Sequence, residues 1–137
     1  MLEPEVAGGL GEHAELDTSI YPPRVTHLHF QFEGWLGDDL LETFPIFLVS
    51  ESLATKLAES RLGAFTFRDA EVTLSPEAEE MLAGRSLPAF RWWDVSGRAG
   101  VDDFGVTDKA ELVVSDRALA VLREGRIDQC DVTEYQG

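Results

Sequence analysis

The alternation of apolar and polar residues predicts a half-buried strand over residues 25–32. Apolar side chains recur at every second position from Leu28 to Phe32, and His27 and His29 occupy positions between them. Successive side chains of a strand point to opposite faces, so the apolar set faces a core and the two histidines share the other face. By the same criteria we expect further strands over residues 44–49, 65–67, 70–74, 90–95 and 111–114.

Three serines mark the starts of predicted helices. Ser50 and Ser115 each precede an acidic residue and apolar residues at helical spacing, as a helix N-cap does. Ser75 precedes Pro76, a residue type favoured in the first turn of a helix. The first of these helices is expected to end at Gly63, because glycine commonly follows the last helical turn.

Two segments of the chain share one order of features. When Ser50 is aligned with Ser115, 65 residues later, a strand, a serine cap, a helix and a further strand follow in both copies. This order predicts a duplicated strand–helix–strand unit; the alternative is that unrelated βα units share the same local order. Together the elements predict a mixed α/β (α+β) domain, with a mixed sheet of about five or six strands and two or three helices.

The N-terminal segment differs in composition from the rest of the chain. Its first 19 residues contain three Gly, one Pro and five acidic residues. We therefore expect residues 1–19 to form an acidic, flexible segment. The whole chain of 137 residues suits one domain, which is then expected to span residues 20–137.

The charge balance excludes several classes of partner. Twenty-six acidic residues against eleven basic ones give a net charge of −15. Such a charge disfavours binding to nucleic acid or to an anionic membrane surface. No apolar run reaches the ~18 residues of a membrane span, and no basic residue precedes Arg24 as a secretory signal would require. A single cysteine, Cys130, allows no internal disulfide, so a cytoplasmic location is expected.

Candidate catalytic or metal-binding patterns are weak. His27 and His29 share a strand face and resemble a metal-ligand pair, but the spacing supplies no third ligand. The aspartate pairs at 38–39 and 102–103 lack the alternating layout of a calcium loop. Nucleophile and phosphate-loop signatures are missing from the sequence, so we predict no enzyme, metal or cofactor. The alternative is a small metal-dependent enzyme that uses the His27/His29 face or the aspartate pairs.

Acidic loops beside aromatic residues suggest a surface that binds a basic protein. A field of this sign attracts cationic partners, and an indole ring supplies a suitable central contact. The alternative is an acidic surface that serves solubility alone. The residues predicted to contact a partner are Trp35, Asp38, Asp39, Glu42, Asp102 and Asp103.

Three stretches carry a resemblance to a known group of proteins. They read FEGWLGDDLLETFPIFLVSESLA at 32–54, FRWWDVSGRAGVDDFG at 90–105 and ELVVSDRALAVLREGRIDQCDVTEY at 111–135. Their order resembles that of immunity proteins of bacterial polymorphic toxin (contact-dependent inhibition) systems, over about residues 30–135. The resemblance implies a cytoplasmic, non-enzymatic protein that blocks the active site of one cognate toxin, in many cases a cationic nuclease. A homo-oligomeric structural module, joined through the FRWWDV strand, is a further alternative.

Overall fold

The computed structural model describes residues 1–84 and 87–135. Within these ranges the chain forms three helices, α1 (Glu51–Ser60), α2 (Pro76–Met81) and α3 (Asp116–Leu122). The strands are β1 (Leu2–Glu3), β2 (Gly8–Leu10), β3 (Glu15–Asp17), β4 (Arg24–His27), β5 (His29–Phe32), β6 (Leu40–Thr43), β7 (Ile46–Ser50), β8 (Phe65–Arg68), β9 (Glu71–Leu74), β10 (Phe90–Val95), β11 (Phe104–Val106), β12 (Leu112–Val114) and β13 (Asp131–Val132).

These elements confirm the mixed α+β class and the single domain. The strands pair in four sheets, with the orders β6-β7-β10-β8, β11-β12-β1-β13, β2-β5-β9 and β3-β4. The described strands outnumber the five or six expected, because short segments of residues 1–19, 40–43, 104–106 and 131–132 also pair and the strand expected over 25–32 forms as two. Within the described residues, no helix is long and apolar enough to cross a membrane.

The sheet β6-β7-β10-β8 lies at the centre of the molecule, with a core on each face. Alternate residues of β10 serve the two cores: Trp93 packs with Leu53 of α1 and Leu122 of α3, and Trp92 packs with Phe30 of β5. We call these the α1–α3 core and the β5 core. Since β7 and β8 pair with the two edges of β10 and both tryptophans are buried, this strand presents no free edge.

The predicted histidine-bearing strand forms as two shorter strands, β4 and β5, on either side of Leu28. Leu28 and Phe32 lie in the β5 core, as the alternation predicts. β5 pairs with β2 in antiparallel fashion and with β9 in parallel fashion. His29 and Glu71 are directly paired in the β5–β9 register, which places them side by side.

The structure places residues 1–19 in three of the four sheets. Leu2 pairs with Leu112 of β12 and with Val132 of β13, so β1 fills the space between these two strands. Leu2 is buried in the α1–α3 core. This arrangement differs from the expected flexible segment, because apolar residues among the glycines and acids find partners far along the chain.

The three predicted serine caps are confirmed. The hydroxyls of Ser50, Ser75 and Ser115 accept hydrogen bonds from backbone N–H groups three residues later. The predicted end of the first helix is wrong by two residues, because Arg61, with φ 60°, takes the left-handed conformation expected at Gly63.

Candidate functional site

Asp39 and Asp103 directly precede strands β6 and β11, each of which begins a hairpin. Their carboxylates accept hydrogen bonds from other groups of the same chain. The Ser50 hydroxyl donates a hydrogen bond of 2.7 Å to Asp39 Oδ1, and the Ser115 hydroxyl donates one of 2.6 Å to Asp103 Oδ1. In both places the serine N–H donates to the carbonyl oxygen of the aspartate at 2.9 Å. We call each arrangement an Asp–Ser bridge. The same Asp–Ser bridge therefore occurs in both copies of the predicted repeat. In each copy it connects the start of a hairpin to the N-cap serine of the helix that follows.

The second carboxylate oxygens of these aspartates are also engaged. Asp39 Oδ2 accepts a hydrogen bond from the Arg126 N–H at 2.6 Å, and Asp103 Oδ2 accepts one from Arg117 Nη2 at 2.7 Å. The Arg117 guanidinium, assisted by a hydroxyl hydrogen bond, lowers the pKa of Asp103 to about 2. Asp102 is exposed, and its Oδ2 accepts a hydrogen bond of 2.7 Å from the Arg98 N–H. These three predicted contact residues therefore stabilise their own loops.

Asp38 is 0% exposed, so the expectation that it lies on an exposed loop is wrong. Its Oδ2 accepts a hydrogen bond of 2.7 Å from the Gln129 N–H, while its Oδ1 has no hydrogen-bond partner among the described residues. Glu5 of the N-terminal segment covers this turn and accepts hydrogen bonds from the N–H groups of Leu36 and Asp38. Burial, with the nearby Glu5 carboxylate, raises the pKa of Asp38.

Trp35 is half-buried beside the same turn. Its indole N–H donates a hydrogen bond of 2.9 Å to the Asp38 carbonyl oxygen. The ring packs edge-on against Phe90, with centroids 6.1 Å apart. Trp35 therefore holds the turn in place.

Glu42, the remaining predicted contact residue, lines an open groove of about 520 Å³. Among the described residues, no Lys or Arg side chain lines this groove. Two exposed apolar side chains also line it, Val6 (69% exposed) and Leu36 (62% exposed). We call it the acidic groove; its carboxylates belong to Glu3, Glu5, Glu42, Glu111 and Asp131.

Within the acidic groove, Glu42 is the carboxylate that lies in an unfavourable electrostatic environment. Glu5 uses both carboxylate oxygens for backbone N–H groups, whereas the Glu42 carboxylate accepts no hydrogen bond from the described part of the chain. Burial, followed by repulsion from Glu3 and Glu111, raises the pKa of Glu42 to about 7. A cation placed in the groove would favour the ionised form of Glu42, and we therefore take the groove as the candidate binding site.

A second cluster joins all three histidines of the chain to Glu71, at the start of β9. His13 Nδ1 lies 2.7 Å from Glu71 Oε2, and His27 Nε2 lies 3.2 Å from Glu71 Oε1. His29 Nε2 lies 4.0 Å from Glu71 Oε2. Candidate ligand atoms of His13, His29 and Glu71 all lie within 4.8 Å of one another. Imidazole and carboxylate groups are a donor set that zinc accepts.

The turn at residues 11–14 holds His13 against His29. The Gly11 N–H donates a hydrogen bond of 2.7 Å to the His29 carbonyl oxygen, and the His13 N–H donates one of 3.1 Å to His29 Nδ1. The two imidazole rings stack with centroids 4.9 Å apart. Only glycine fits at position 11, because a Cβ there would lie 2.2 Å from the His29 ring. This cover leaves His29 4% exposed, although the alternation of the strand predicted a solvent-facing position.

Sequence reasoning found part of each cluster and missed the rest. It paired His27 with His29 but missed Glu71, which is 44 residues from His27 and 58 from His13. It selected Glu42 from its acidic neighbourhood, yet the other groove carboxylates come from distant strands and the segment before β12. No feature of the sequence distinguishes these groove carboxylates from the other acidic residues of the chain.

Comparisons of the chain with protein-family models, with curated proteins and with solved structures found no match in any of the three. The architecture thus defines the class of protein as mixed α+β. A fold class alone is compatible with many activities, so the function has to be argued from the sites.

Proposed function

We propose that this protein is a non-enzymatic immunity protein that neutralises a cationic toxin domain by occluding its active site. The observation that carries the proposal is the acidic groove, which combines several carboxylates with two exposed apolar side chains. The net charge of −15 supports it, since long-range attraction speeds the encounter with a basic partner. The order of motifs at 32–54, 90–105 and 111–135 is similar to that of such immunity proteins.

The groove offers two kinds of contact to a basic partner. Its carboxylates other than Glu5 can accept charge-assisted hydrogen bonds from arginine or lysine side chains that would otherwise bind substrate phosphates. Val6 and Leu36, already exposed in the free protein, would be buried by the same partner. Glu42 has most to gain, because its partly buried carboxyl group is repelled by Glu3 and Glu111 and, among the described residues, no Lys or Arg side chain lines the groove.

The aspartates at 38–39 and 102–103 take a different role in this proposal. Their bonds to Ser50, Ser115, Arg117 and the backbone hold the hairpins and caps in fixed positions. A binding surface that is rigid before the encounter loses less conformational entropy on association. We therefore assign partner contact to the acidic groove and positioning to the aspartates.

The proposal expects the gene of a toxin domain to lie next to the gene of this protein, because genes of immunity proteins lie beside those of their toxins. That toxin domain is the partner used in the test. Co-expression of the wild-type protein should restore growth to cells that produce the toxin domain in the cytoplasm, the location that the proposal implies. Glu3→Lys/Glu42→Lys should abolish the rescue and weaken binding by about 100-fold or more, because it places two cations in the groove. Surface plasmon resonance at several salt concentrations measures the affinity and the association rate.

The control is Glu77→Lys/Glu79→Lys on α2, which changes the net charge by the same amount on another surface. It should slow association modestly and leave growth rescue intact. Equal loss in the two double variants would show that only total charge matters. If the folded wild-type protein did not restore growth, the proposed immunity function would be wrong.

A further inference from the structure

We propose that the neutral imidazole of His29 keeps the turn at residues 11–14 closed, and that protonation of this ring at mildly acidic pH opens the turn. None of these residues lines the acidic groove, and the inference does not depend on the proposed inhibition of a toxin. Three observations support it: the hydrogen bonds of the His29 ring, the burial of the ring beneath the turn, and the charged groups around it.

The hydrogen bonds of His29 require a neutral ring. Its Nδ1 accepts the His13 N–H at 3.1 Å, so this nitrogen carries no proton. The proton of the neutral ring is therefore on Nε2, which donates to the Thr73 hydroxyl oxygen 2.8 Å away. A second proton would have to bind at Nδ1, where it would point at the His13 N–H. Two donors would then face each other, so the closed turn excludes the protonated ring.

The closed turn leaves the His29 ring no access to another acceptor through solvent. His29 is 4% exposed, and its ring stacks against that of His13 with centroids 4.9 Å apart. The Gly11 N–H donates a hydrogen bond of 2.7 Å to the His29 carbonyl oxygen, which fixes the start of the turn on the same residue. In the open turn, water can accept a hydrogen bond from a protonated Nδ1. Because a buried donor without an acceptor is costly, protonation of His29 favours the open turn.

The charged and titratable groups around the ring do not relieve this conflict. Glu71 Oε2 lies 4.0 Å from His29 Nε2, so its charge acts on the side of the ring opposite to the conflict at Nδ1. The Glu71 carboxylate also accepts hydrogen bonds from His13 at 2.7 Å and from His27 at 3.2 Å. The stacked His13 ring, with Glu12 Oε1 3.9 Å from its Nε2, opposes a positive charge on His29 once it is itself protonated.

The contact between His13 and Glu71 has the opposite pH dependence. Its hydrogen bond raises the pKa of His13 above the ordinary value of 6.5. The stability that it contributes is therefore fully present below pH 6.5 and is lost as the pH rises through the raised value. The contribution of His29 is lost in the other direction, as the pH falls and its ring binds a second proton. We therefore expect acidification to open the turn although the contact between His13 and Glu71 persists.

The experiment is an NMR titration of the full chain from pH 7.5 to pH 4.5. At pH 7.5 the side-chain nitrogen shifts of His29 should show a proton on Nε2 and none on Nδ1. As the ring binds its second proton, the Gly11 and His13 amides should lose at least tenfold of their protection from hydrogen exchange, after correction for the intrinsic effect of pH. The two changes should share one midpoint. The amides of Leu48 and Trp93 in the central sheet should stay protected.

His29→Asn should keep the turn closed at both ends of the titration, because its side-chain oxygen can replace Nδ1 as the acceptor and does not titrate. His27→Asn is the matched control: His27 also contacts Glu71, but it lies in β4, outside the turn, and this variant should open with acid as the wild type does.

A proton on Nδ1 at pH 7.5, or unchanged protection of the turn at pH 4.5, would overturn the proposal in the wild-type protein alone. The same loss of protection in His29→Asn would also overturn it. If the central sheet lost protection at the same midpoint, the acid transition would be global unfolding and the proposed local opening would be wrong.

Discussion

Asp103 of the second Asp–Ser bridge and Glu42 of the acidic groove belong to one strongly acidic chain, yet their surroundings are opposite. Asp103 receives hydrogen bonds from Arg117 and Ser115, and its pKa falls to about 2. Glu42 is partly buried beside other carboxylates, and its pKa rises to about 7. The first environment stabilises the ionised form, and the second destabilises it.

This difference separates acids that stabilise the fold from acids that are available to a partner. A carboxylate already bonded on both oxygens would have to exchange existing bonds for new ones on binding. When a carboxylate lies near other acids, the approach of a cation lowers the free energy of its ionised form. Net charge and position in a loop do not distinguish the two cases, whereas hydrogen-bond partners do.

The largest effect is expected at the first Asp–Ser bridge. Asp39→Ala removes the acceptor for the Ser50 hydroxyl and the Arg126 N–H, and should lower the free energy of unfolding by about 2–3 kcal/mol. Asp103→Ala should cost less, because the side chain of its partner Arg117 is 73% exposed. Urea unfolding measures both, with Asp108→Ala as an exposed control. Equal losses at the two bridges would contradict the comparison.

Glu42 should make the protein less stable as the pH rises. Its pKa is about 7 in the folded chain against 4.5 for an ordinary glutamate, so the folded state binds the extra proton between these values. The stability contributed by this group is therefore lost from about pH 4.5 to pH 7. Glu42→Gln should be more stable than wild type at pH 8, by about 1–2 kcal/mol once solvent screening is included, and equal to it at pH 4. Urea unfolding at both pH values, with the exposed Glu59→Gln as control, tests the sign.

Neighbouring aspartates should respond in opposite ways to the same substitution. Asp38→Asn removes a buried charge whose Oδ1 has no partner among the described residues, and should be neutral or stabilising by up to about 1 kcal/mol at pH 8. Asp39→Asn replaces one of two acceptor oxygens by an amide NH2 group, which would face either the Ser50 hydroxyl or the Arg126 N–H. Because one hydrogen bond is then lost, this substitution should destabilise the protein. Thermal melting of the two variants gives the result. A large loss in Asp38→Asn would mean that its ionised form is needed.

The smallest effect is expected at Arg117. The pKa of Asp103 is about 2 in the folded chain against an ordinary value of 3.8, so its contribution to stability is present above pH 3.8 and lost as the pH falls through about 2. Arg117→Ala should lower the melting temperature slightly at pH 5 and by less at pH 2, where about half of the Asp103 carboxyl groups are protonated. A difference at pH 2 as large as that at pH 5 would assign the effect of Arg117 to packing rather than to the ion pair.

Several elements could be predicted because their signals are local. Strand β10 forms at the predicted residues 90–95, and Ser50, Ser75 and Ser115 cap helices as expected. The hydroxyl of a cap and the backbone N–H that it accepts from are three residues apart, so neighbouring sequence specifies them. The duplicated order of features was visible for the same reason.

The sites could be predicted only in part. Glu42 and His27 were selected by residue type, but the groups that give them their chemistry come from other regions of the chain. Asp38 was expected in an exposed loop and is buried, because Gln129, 91 residues away, and Glu5 close over it. Such contacts depend on which strands pair, and the local pattern of apolar and polar residues does not specify the pairing of distant strands.

By itself, the sequence determined the class of fold, the helix caps, the alternation that buries Phe30 and Phe32, and the large negative charge. Only the tertiary structure decided which carboxylates are bonded, which are crowded in the acidic groove, and which histidines meet at Glu71. The physical reason is that side-chain period and capping act over a few residues. Burial and charge pairing, in contrast, depend on groups that chain folding brings together from far apart.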